Sequence, residues 1–247
     1  MFDFKQTSKI RTSFSEEAQL KKYLNQLKRC PFFTGMTDDE ILSILHCVSA
    51  RALSVKKDQF IFRAGDATEE MGLVLSGSVI IIQEDLWGHR NIMGKCLPGD
   101  FFGEPYAATP GSVLNISVTA SEDSVVLLLN IRKMLTTCPT ACDHHNKLTR
   151  NLVAVLANKV LQFNEKITHM SKRTTREKLL SYLSSEALRA GNTSFEIPYD
   201  RQQLADFLCV ERAAMSVELS KLQKEGLLKT TRNHFELLKD TSEEGKH

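Results

Sequence analysis

The sequence predicts an α+β fold in which an N-terminal antiparallel β-roll is followed by a long helix and then by a winged helix-turn-helix. Three observations favour it. Apolar residues alternate with a period of two, between glycine corners, from Ala50 to Leu129. A single apolar stripe with spacings of three and four then runs through residues 136–171. Two short helical patterns separated by a tight turn lie between Asp200 and Leu228.

The totals are those of a globular protein with room for two cores. The chain has 247 residues, of which 42% are hydrophobic and 25% are charged. The net charge is only +2, but the excess of Lys and Arg falls in residues 172–239, whereas residues 50–135 carry a slight acidic excess. This asymmetry suits a chain whose C-terminal end meets a polyanion.

The cysteines and the N-terminus indicate the compartment. Six cysteines are scattered without the spacing of a disulfide framework, and Met1–Ile10 lacks the apolar core of a signal peptide. No run of residues approaches transmembrane length. We therefore expect a cytoplasmic bacterial protein that needs no membrane partner.

The first predicted domain is a β-roll over residues 28–135, after an N-terminal extension over residues 1–27. Helices are predicted over Glu16–Leu27 and over Asp38–Val48, the second with Thr37 as its N-cap. The predicted strands are Phe60–Phe62, Leu73–Leu75, Val79–Ile82, Ile92–Met93, Val113–Thr119 and Ser124–Leu129.

The second predicted domain covers residues 172–240. Asp200 is placed to cap a helix, with Gln203 at the capping-box position three residues later. A second helix begins at Arg212 and ends before Gly226, which has the left-handed freedom of a C-cap. Its predicted apolar stripe is Ala214, Met215, Leu219 and Leu222. Residues 195–197 form a possible strand, and a hairpin wing is predicted over residues 227–238.

The helix-turn-helix stretch resembles the DNA-reading element of the Crp–Fnr superfamily of bacterial transcription regulators. The positions that match the family pattern are Arg201, Gln202, Leu204, Ala205, Leu208, Val210, Arg212, Met215, Ser216, Leu219, Leu222, Gly226 and Leu227. One position departs from it, because Val217 stands where many relatives carry a second base-reading Arg. A core helical hairpin, the alternative interpretation, would match far fewer positions.

The resemblance extends to the predicted β-roll. Gly65-Asp66, Gly77, Pro98-Gly99-Asp100 and Gly103-Glu104 fall in the order seen in the family's cyclic-nucleotide-type sensor domain. In this family the long helix, here residues 136–171, forms a dimer seam. The predicted seam residues are Leu148, Leu152, Leu156, Val160, Phe163, Ile167 and Met170. The alternative is a long helix packed wholly on its own barrel.

The resemblance implies a homodimer that binds a near-palindromic operator and contacts RNA polymerase. The predicted DNA-binding residues are Arg201, Gln202, Glu211, Arg212, Ala213, Ser216, Lys221, Arg232 and His234. Arg212 has the planar fork that bonds the two acceptors of guanine, and Glu211 can accept a hydrogen bond from cytosine. Arg201, Lys221 and the wing residues are placed for phosphates. Solvated surface charge is the alternative for each.

The expected effector is not cyclic AMP. Relatives that bind cyclic nucleotides carry an Arg-Ser or Arg-Thr pair roughly ten residues after Gly-Glu, where guanidinium neutralises the phosphate. That pair is Leu114-Asn115 here, and no Lys or Arg lies between Glu104 and Asn130. Another small molecule stays open, as does a purely structural role for Glu104. The candidate pocket residues are Gly103, Glu104, Tyr106, Leu114, Asn115 and Gln162.

No cofactor is predicted. Four clustered thiolates for an iron–sulfur centre are lacking, and His89 alone is a weak haem ligand. Cys138, Cys142 and His145 share one face of the predicted long helix, and a metal or redox sensor at that face is an alternative. A ligand-binding module acting through protein partners is another. No catalytic motif supports an enzyme.

Overall fold

A computed structural model describes residues 20–135 and 143–238. The chain divides into two compact units. The first comprises Met1–Gln83 and Gly94–Asn158, and the second comprises Glu84–Met93 and Lys159–His247. The domain boundaries expected from the sequence stay a prediction.

Short helices precede the barrel in the first unit. They are α1 (Leu24–Leu27), a 3-10 turn (Pro31–Phe33) and α2 (Asp38–Cys47). Helix α2 begins at a capping box, in which the Thr37 hydroxyl accepts a hydrogen bond from the Glu40 amide while the Glu40 carboxylate accepts one from the Thr37 amide. The predicted α2 is thus confirmed. Part of the predicted Glu16–Leu27 helix lies outside the described residues, and only α1 follows within them.

Eight strands form two four-stranded sheets. Their order is β1-β8-β3-β6 in one sheet and β2-β7-β4-β5 in the other. The strands are β1 (Arg51–Val55), β2 (Phe60–Phe62), β3 (Glu70–Ser76), β4 (Val79–Glu84), β5 (Arg90–Cys96), β6 (Phe101–Phe102), β7 (Ser117–Ala120) and β8 (Ser124–Asn130). Pairs such as β3 with β8 are antiparallel, which confirms the predicted β-roll.

One strand is shorter than predicted, and five elements were not predicted. Residues 112–116 form a loop before β7, because Leu114 exchanges backbone hydrogen bonds with the corner at Gly65 and Asp66 instead of joining a ladder. The additional elements are the 3-10 turn, β1, β6, the helix α3 (Glu104–Ala108) and a short helix over Ile131–Leu135. At β6, the Phe102 ring lies against Gly72, where an added Cβ would stand 2.0 Å from the ring.

The hairpin turn between β4 and β5 is held by Asp85 and presents apolar side chains. The Asp85 carboxylate accepts hydrogen bonds from the amides of Trp87 and His89, both at 2.9 Å, and lies 2.7 Å from His89 Nδ1. His89, the weak haem-ligand candidate of the sequence analysis, therefore has the Asp85 carboxylate as its neighbour. Leu86 and Trp87 at the tip are almost fully exposed.

The core of the first unit lies between the N-terminal helices and one sheet. Phe32 packs edge-on against Phe101, with 4.7 Å between ring centroids. Helix α4 (Ile131–Leu135) and the start of the long helix α5 (Asp143–Met170) close this core. Leu148 and Leu152 of α5 are 0% and 4% exposed within it.

The burial of those two leucines corrects the predicted dimer seam. Leu148 and Leu152 pack into the chain's own core, so they are not available to a partner in this conformation. Further along α5, Val160, Phe163 and Ile167 are exposed. Leu156 and Met170 are half-buried. Residues 136–142, where α5 was expected to begin, lie outside the described residues.

The second unit contains a helix-turn-helix followed by a wing. Its elements are α6 (Thr175–Ala190), β9 (Ser194–Glu196), α7 (Arg201–Leu208), α8 (Arg212–Lys224), β10 (Leu228–Thr231) and β11 (His234–Leu237). The last three strands form a sheet with the order β10-β11-β9, so the predicted wing is confirmed. Its core contains Leu179, Tyr182, Leu183, Leu204, Leu208, Met215, Leu219, Leu222 and Phe235. Ala214, predicted in the buried stripe of α8, is exposed instead.

Candidate nucleic-acid interface

Helix α7 begins where its sequence predicts. The Asp200 carboxylate accepts a hydrogen bond from the Gln203 amide at 2.8 Å, and the Asp200 amide donates to Gln203 Oε1 at 3.1 Å. This reciprocal box satisfies two backbone donors that a helix start leaves unpaired. Below it, Leu204, Ala205 and Leu208 are fully buried, which fixes the orientation of α7 in the second unit.

The turn between the two helices depends on one left-handed residue. Cys209 has φ of +51°, and the next amide, that of Val210, donates to the Ala205 carbonyl at 3.0 Å. Lys178 from α6 donates to the carbonyls of Leu208 and Cys209 at 3.3 and 3.4 Å. The chain therefore leaves α7 sharply, and α8 begins at Arg212.

Helix α8 has one buried face and one solvent face. Met215, Leu219 and Leu222 are buried. The exposed residues include Arg212, Ala213, Ser216, Val217, Ser220 and Lys221. Within the stretches 20–135 and 143–238, the Arg212 guanidinium has no hydrogen-bond or ion-pair partner. Residues near the start of a helix that enters the major groove contact base edges, and an exposed guanidinium at that position suits such a contact.

The other polar residues predicted for this face make short-range contacts. Lys221 forms an ion pair with Glu218 at 2.6 Å. Gln202 donates to Asp206 at 2.8 Å on α7, and the Ser216 hydroxyl donates to the Arg212 carbonyl at 2.9 Å. Pairs of this kind on a surface are weak and exchange readily for other partners.

Arg201 is held differently from its prediction. Its Nη2 donates to Thr230 Oγ1 at 2.6 Å, and its guanidinium lies 4.9 Å from the centroid of the Phe235 ring. Burial lowers the pKa of this guanidinium. The side chain thus ties α7 to the wing, and its Nη1 is buried without a hydrogen-bond partner among the described residues. A direct phosphate contact by Arg201 does not fit this conformation.

The wing presents one free cation among its described residues. Arg232 stands at the hairpin turn with φ of +54° and is exposed. His234 is half-buried, and its Nε2 lies 3.1 Å from the Ser194 hydroxyl of β9. Of the two predicted phosphate contacts here, Arg232 is the one that extends into solvent.

A bidentate ion pair fixes the end of α8. Arg176, in the first turn of α6, bonds both carboxylate oxygens of Glu225, one of them at 2.9 Å. The guanidinium lowers the pKa of Glu225 by a hydrogen bond, and the carboxylate raises the pKa of Arg176 in return. Both ends of the recognition helix are therefore anchored to other elements of the unit.

The second unit also buries two basic residues of α5 that the sequence did not single out. Lys166 donates to the carbonyl of Ile92, and its Nζ lies 4.7 Å from the centroid of the Phe207 ring. His169 Nδ1 lies 2.8 Å from the Ser181 hydroxyl. Lys166 follows Glu165 and His169 follows Thr168, so the local sequence gives no apolar pattern that would have predicted their burial.

The residues predicted for an effector pocket only partly come together. Gly103 has φ of +80° and starts α3, where Glu104 is buried. The Tyr106 hydroxyl donates to Asn115 Oδ1, and burial raises the pKa of this tyrosine. Leu114 is buried. Gln162 is exposed and belongs to the second unit, so its place in the pocket stays a prediction.

A small cavity of about 150 Å³ opens near this loop. Thr68, Ala107 and Ser112 are among its lining residues. Its cation is Arg132, which already forms an ion pair with Glu69 at 2.8 Å. The Arg132 guanidinium, the positive charge that a cyclic phosphate would need at this cavity, is therefore already paired with a carboxylate.

The predicted thiol cluster lies largely outside the described residues. Cys138 and Cys142 fall in the undescribed stretch, whereas His145 is half-buried on α5. Its neighbour His144 forms an ion pair with Glu40 at 2.8 Å. Across the described residues, no group of three or more His, Cys, Asp and Glu side chains is placed to hold a metal. In the same stretches, no helix has the length and apolar character needed to cross a bilayer.

Comparison with known proteins agrees with this architecture. The family model of the cyclic nucleotide-binding domain matches residues 52–140, and that of the Crp-like helix-turn-helix domain matches residues 177–241. A β-roll of this kind joined to a winged helix-turn-helix defines a class of DNA-binding transcription regulators rather than enzymes. Within that class, the chain belongs to the Crp–Fnr superfamily.

Relatives resemble the chain over most of its length. It is 24% identical to the transcriptional activator protein FnrL of Cereibacter sphaeroides over 71% of each chain. It is 26% identical to the cyclic AMP receptor protein of Thermus thermophilus over 82% of this chain and 90% of that protein.

Two solved structures share the fold. FixK2 from Bradyrhizobium japonicum has a TM-score of 0.61 at 22% identity, and covers 77% of this chain and 93% of its own. The c-di-GMP responsive global regulator CLP of Xanthomonas campestris has a TM-score of 0.67 at 18% identity, and covers 83% and 100%.

Proposed function

We propose that the chain is a homodimeric, sequence-specific DNA-binding transcription regulator whose β-roll controls the helix-turn-helix. The observation that carries this proposal is the free guanidinium of Arg212 on the exposed face of an anchored helix. A residue at the start of a recognition helix reaches base edges when that helix enters the major groove. The planar fork of Arg212 suits the two acceptors of guanine.

The remaining site residues support that reading in subordinate roles. Glu211 accepts from a cytosine amine, and Ser216 contacts a base or a phosphate. Gln202, Ala213, Lys221, Arg232 and His234 line the same interface. Lys221 and Arg232 neutralise phosphates, which gives affinity and position rather than sequence preference. Arg201 acts indirectly, because it braces the wing against α7.

A second copy of the chain would cover the exposed part of α5. Val160, Phe163 and Ile167 are exposed on that helix, and a two-fold dimer buries the same patch on both subunits. The operator is then near-palindromic, with half-sites about one helical turn, roughly 34 Å, apart. RNA polymerase is a further partner and the cytoplasm the compartment, by analogy with relatives named transcriptional activators.

The β-roll is proposed to respond to a small molecule other than cyclic AMP. Leu114 and Asn115 occupy the positions at which cyclic-nucleotide binders carry the Arg-Ser or Arg-Thr pair. Burying a phosphate without the arginine cation is costly. Adding cyclic AMP should leave the DNA affinity unchanged. Native mass spectrometry of protein from its own host would reveal a retained effector. A more than tenfold change in affinity with cyclic AMP would overturn this part.

The DNA-binding proposal is tested by Arg212→Ala. The variant should lose about 1–3 kcal/mol of specific binding free energy and relax the preference at one guanine of each half-site. Titration of operator and random duplexes at two salt concentrations measures both effects. The matched control is Arg150→Ala, which removes an exposed arginine from the first unit. An equal loss on operator and random DNA would contradict the role of Arg212.

A further inference from the structure

The outermost part of α8 is apolar. A helix turns by about 100° per residue, so the buried Met215, Leu219 and Leu222 mark one side of α8. Val217 points almost directly away from that side and is 54% exposed. Ala213 lies one turn earlier in nearly the same direction and is also exposed. The centre of the solvent face therefore carries two apolar side chains in succession.

In the described part of the second unit, the side chains of Val217 and Ala213 stay exposed. Val217 and Ala214 line a hollow of about 470 Å³ that faces the first turn of α6 at Thr174 and Thr175. The charged residues at its edge are already paired, since Glu218 binds Lys221 and Arg176 binds Glu225. The apolar centre of α8 is thus open, and its charged neighbours do not reach across it.

The chemistry of the major groove identifies what such a surface can bind. Guanine, cytosine and adenine present hydrogen-bonding groups there, whereas thymine adds a C5-methyl group. A valine side chain neither donates nor accepts a hydrogen bond, so it distinguishes bases only by apolar contact. The thymine methyl is the apolar group that the groove offers.

We propose that Val217, supported by Ala213, reads a thymine in each half-site through its C5-methyl group. This inference rests on the proposed function, because it needs α8 in the major groove with Arg212 on a guanine of the same half-site. The inference also says how the preferred half-site should change because this chain has a valine where many relatives carry an arginine. The half-site should hold a thymine at the base pair that Val217 faces, and Val217→Arg should shift that preference toward guanine.

Deoxyuridine gives a direct test, since it differs from thymidine only by the missing methyl. The half-site is first determined by selecting bound duplexes from a random pool with the full chain. Each thymidine of the selected operator is then replaced by deoxyuridine, one position at a time. At one position per half-site, the replacement should weaken binding by wild type about fourfold, which corresponds to one buried methyl group. Binding by Val217→Ala should respond less than wild type there, because alanine keeps only part of the apolar contact.

A matched variant and the outcomes separate the two proposals. Ser220→Ala changes another exposed residue of the same face and should keep the wild-type sensitivity to deoxyuridine. If deoxyuridine is tolerated at every position, or if Val217→Ala keeps the sensitivity, the thymine contact is wrong while DNA binding stands. If no duplex sequence is enriched at all, the proposed function itself is overturned, and this inference with it.

Discussion

The two halves of α5 bury opposite kinds of residue. In the half that belongs to the first unit, the buried positions are Leu148 and Leu152. In the half that belongs to the second unit, the buried positions are Lys166 and His169, which are 6% and 4% exposed. Along this one helix, the buried side chains therefore change from apolar in the first half to basic in the second half.

The exposed positions of the second half complete the inversion. Four large apolar side chains face solvent there: Val160, Leu161, Phe163 and Ile167. Single exposed apolar residues are common on protein surfaces, but several on one helix, opposite buried polar residues, are what the proposed subunit interface would require. The difference teaches that one stripe in a sequence can serve two surfaces, an internal core and a candidate subunit interface.

Alanine at both Phe163 and Ile167 should have the largest effect on this contrast. Burying one such side chain contributes about 1.5–3 kcal/mol, and a two-fold interface contains each residue twice. The double variant should therefore become monomeric in sedimentation experiments while its circular dichroism spectrum stays unchanged. Leu188→Ala, at an exposed leucine of α6, is the control and should leave association intact. An unaltered dimer in the double variant would remove the proposed interface.

The first half should respond to Leu152→Ala through stability instead. Truncating a buried leucine costs about 2–5 kcal/mol, because the contacts and the filled volume are both lost. Urea unfolding followed by circular dichroism measures the cost. Val153→Ala is the neighbouring control, since Val153 is exposed and should change the unfolding free energy little. Similar values for both variants would mean that the first half is not a core element.

Lys166 predicts an alkaline signature for the second half. Burial lowers its pKa to about 8, and only the electrostatic influence of Cys209 opposes this. The folded state therefore binds fewer protons than the unfolded state between about pH 8 and the ordinary pKa of 10.5. The free energy of unfolding should rise with pH across that window, by about 3 kcal/mol, and become flat below it. Unfolding of wild type and Lys166→Met at matched pH values isolates this slope, which the variant should lack.

His169 should give a smaller effect on the acid side. Desolvation lowers its pKa, Glu165 opposes this, and Arg189 and Lys172 reinforce it. The neutral ring beside Ser181 is thus the favoured form. Stability should be fully present above the ordinary pKa of 6.5 and fall as the pH drops through the lower folded value. His169→Gln should flatten this part of the profile, and a slope equal to wild type in that variant would count against the buried histidine.

The parts of the fold that the sequence predicted are those set by local chemistry. The N-cap at Thr37, the capping box at Asp200 and the stop at Gly226 each depend on a few adjacent residues. Apolar periodicity likewise predicted the strands and helices that carry it. For the candidate site, the exposed position of Arg212 follows from the same local pattern.

The parts that it did not predict depend on residues far apart in the chain. Strand β6 exists because Phe101 and Phe102 pair with β3, and the loop before β7 follows hydrogen bonds of Leu114 to a distant corner. Arg201 turns inward because its guanidinium donates a hydrogen bond to Thr230 and lies against the Phe235 ring. The sequence could not show which apolar residues of α5 belong to the internal core and which to the proposed subunit interface. Their spacing along the helix is the same in both cases.

The tip of the β4–β5 hairpin has a practical consequence for work on this chain. Trp87 is the single tryptophan of the sequence, and it is 81% exposed on a turn that Asp85 holds. In the native state, the fluorescence emission of its indole will already be that of a solvent-exposed tryptophan. Intrinsic fluorescence will consequently report poorly on the melting of either core, yet a molecule that settles over the hairpin tip should shift the spectrum to the blue without any label.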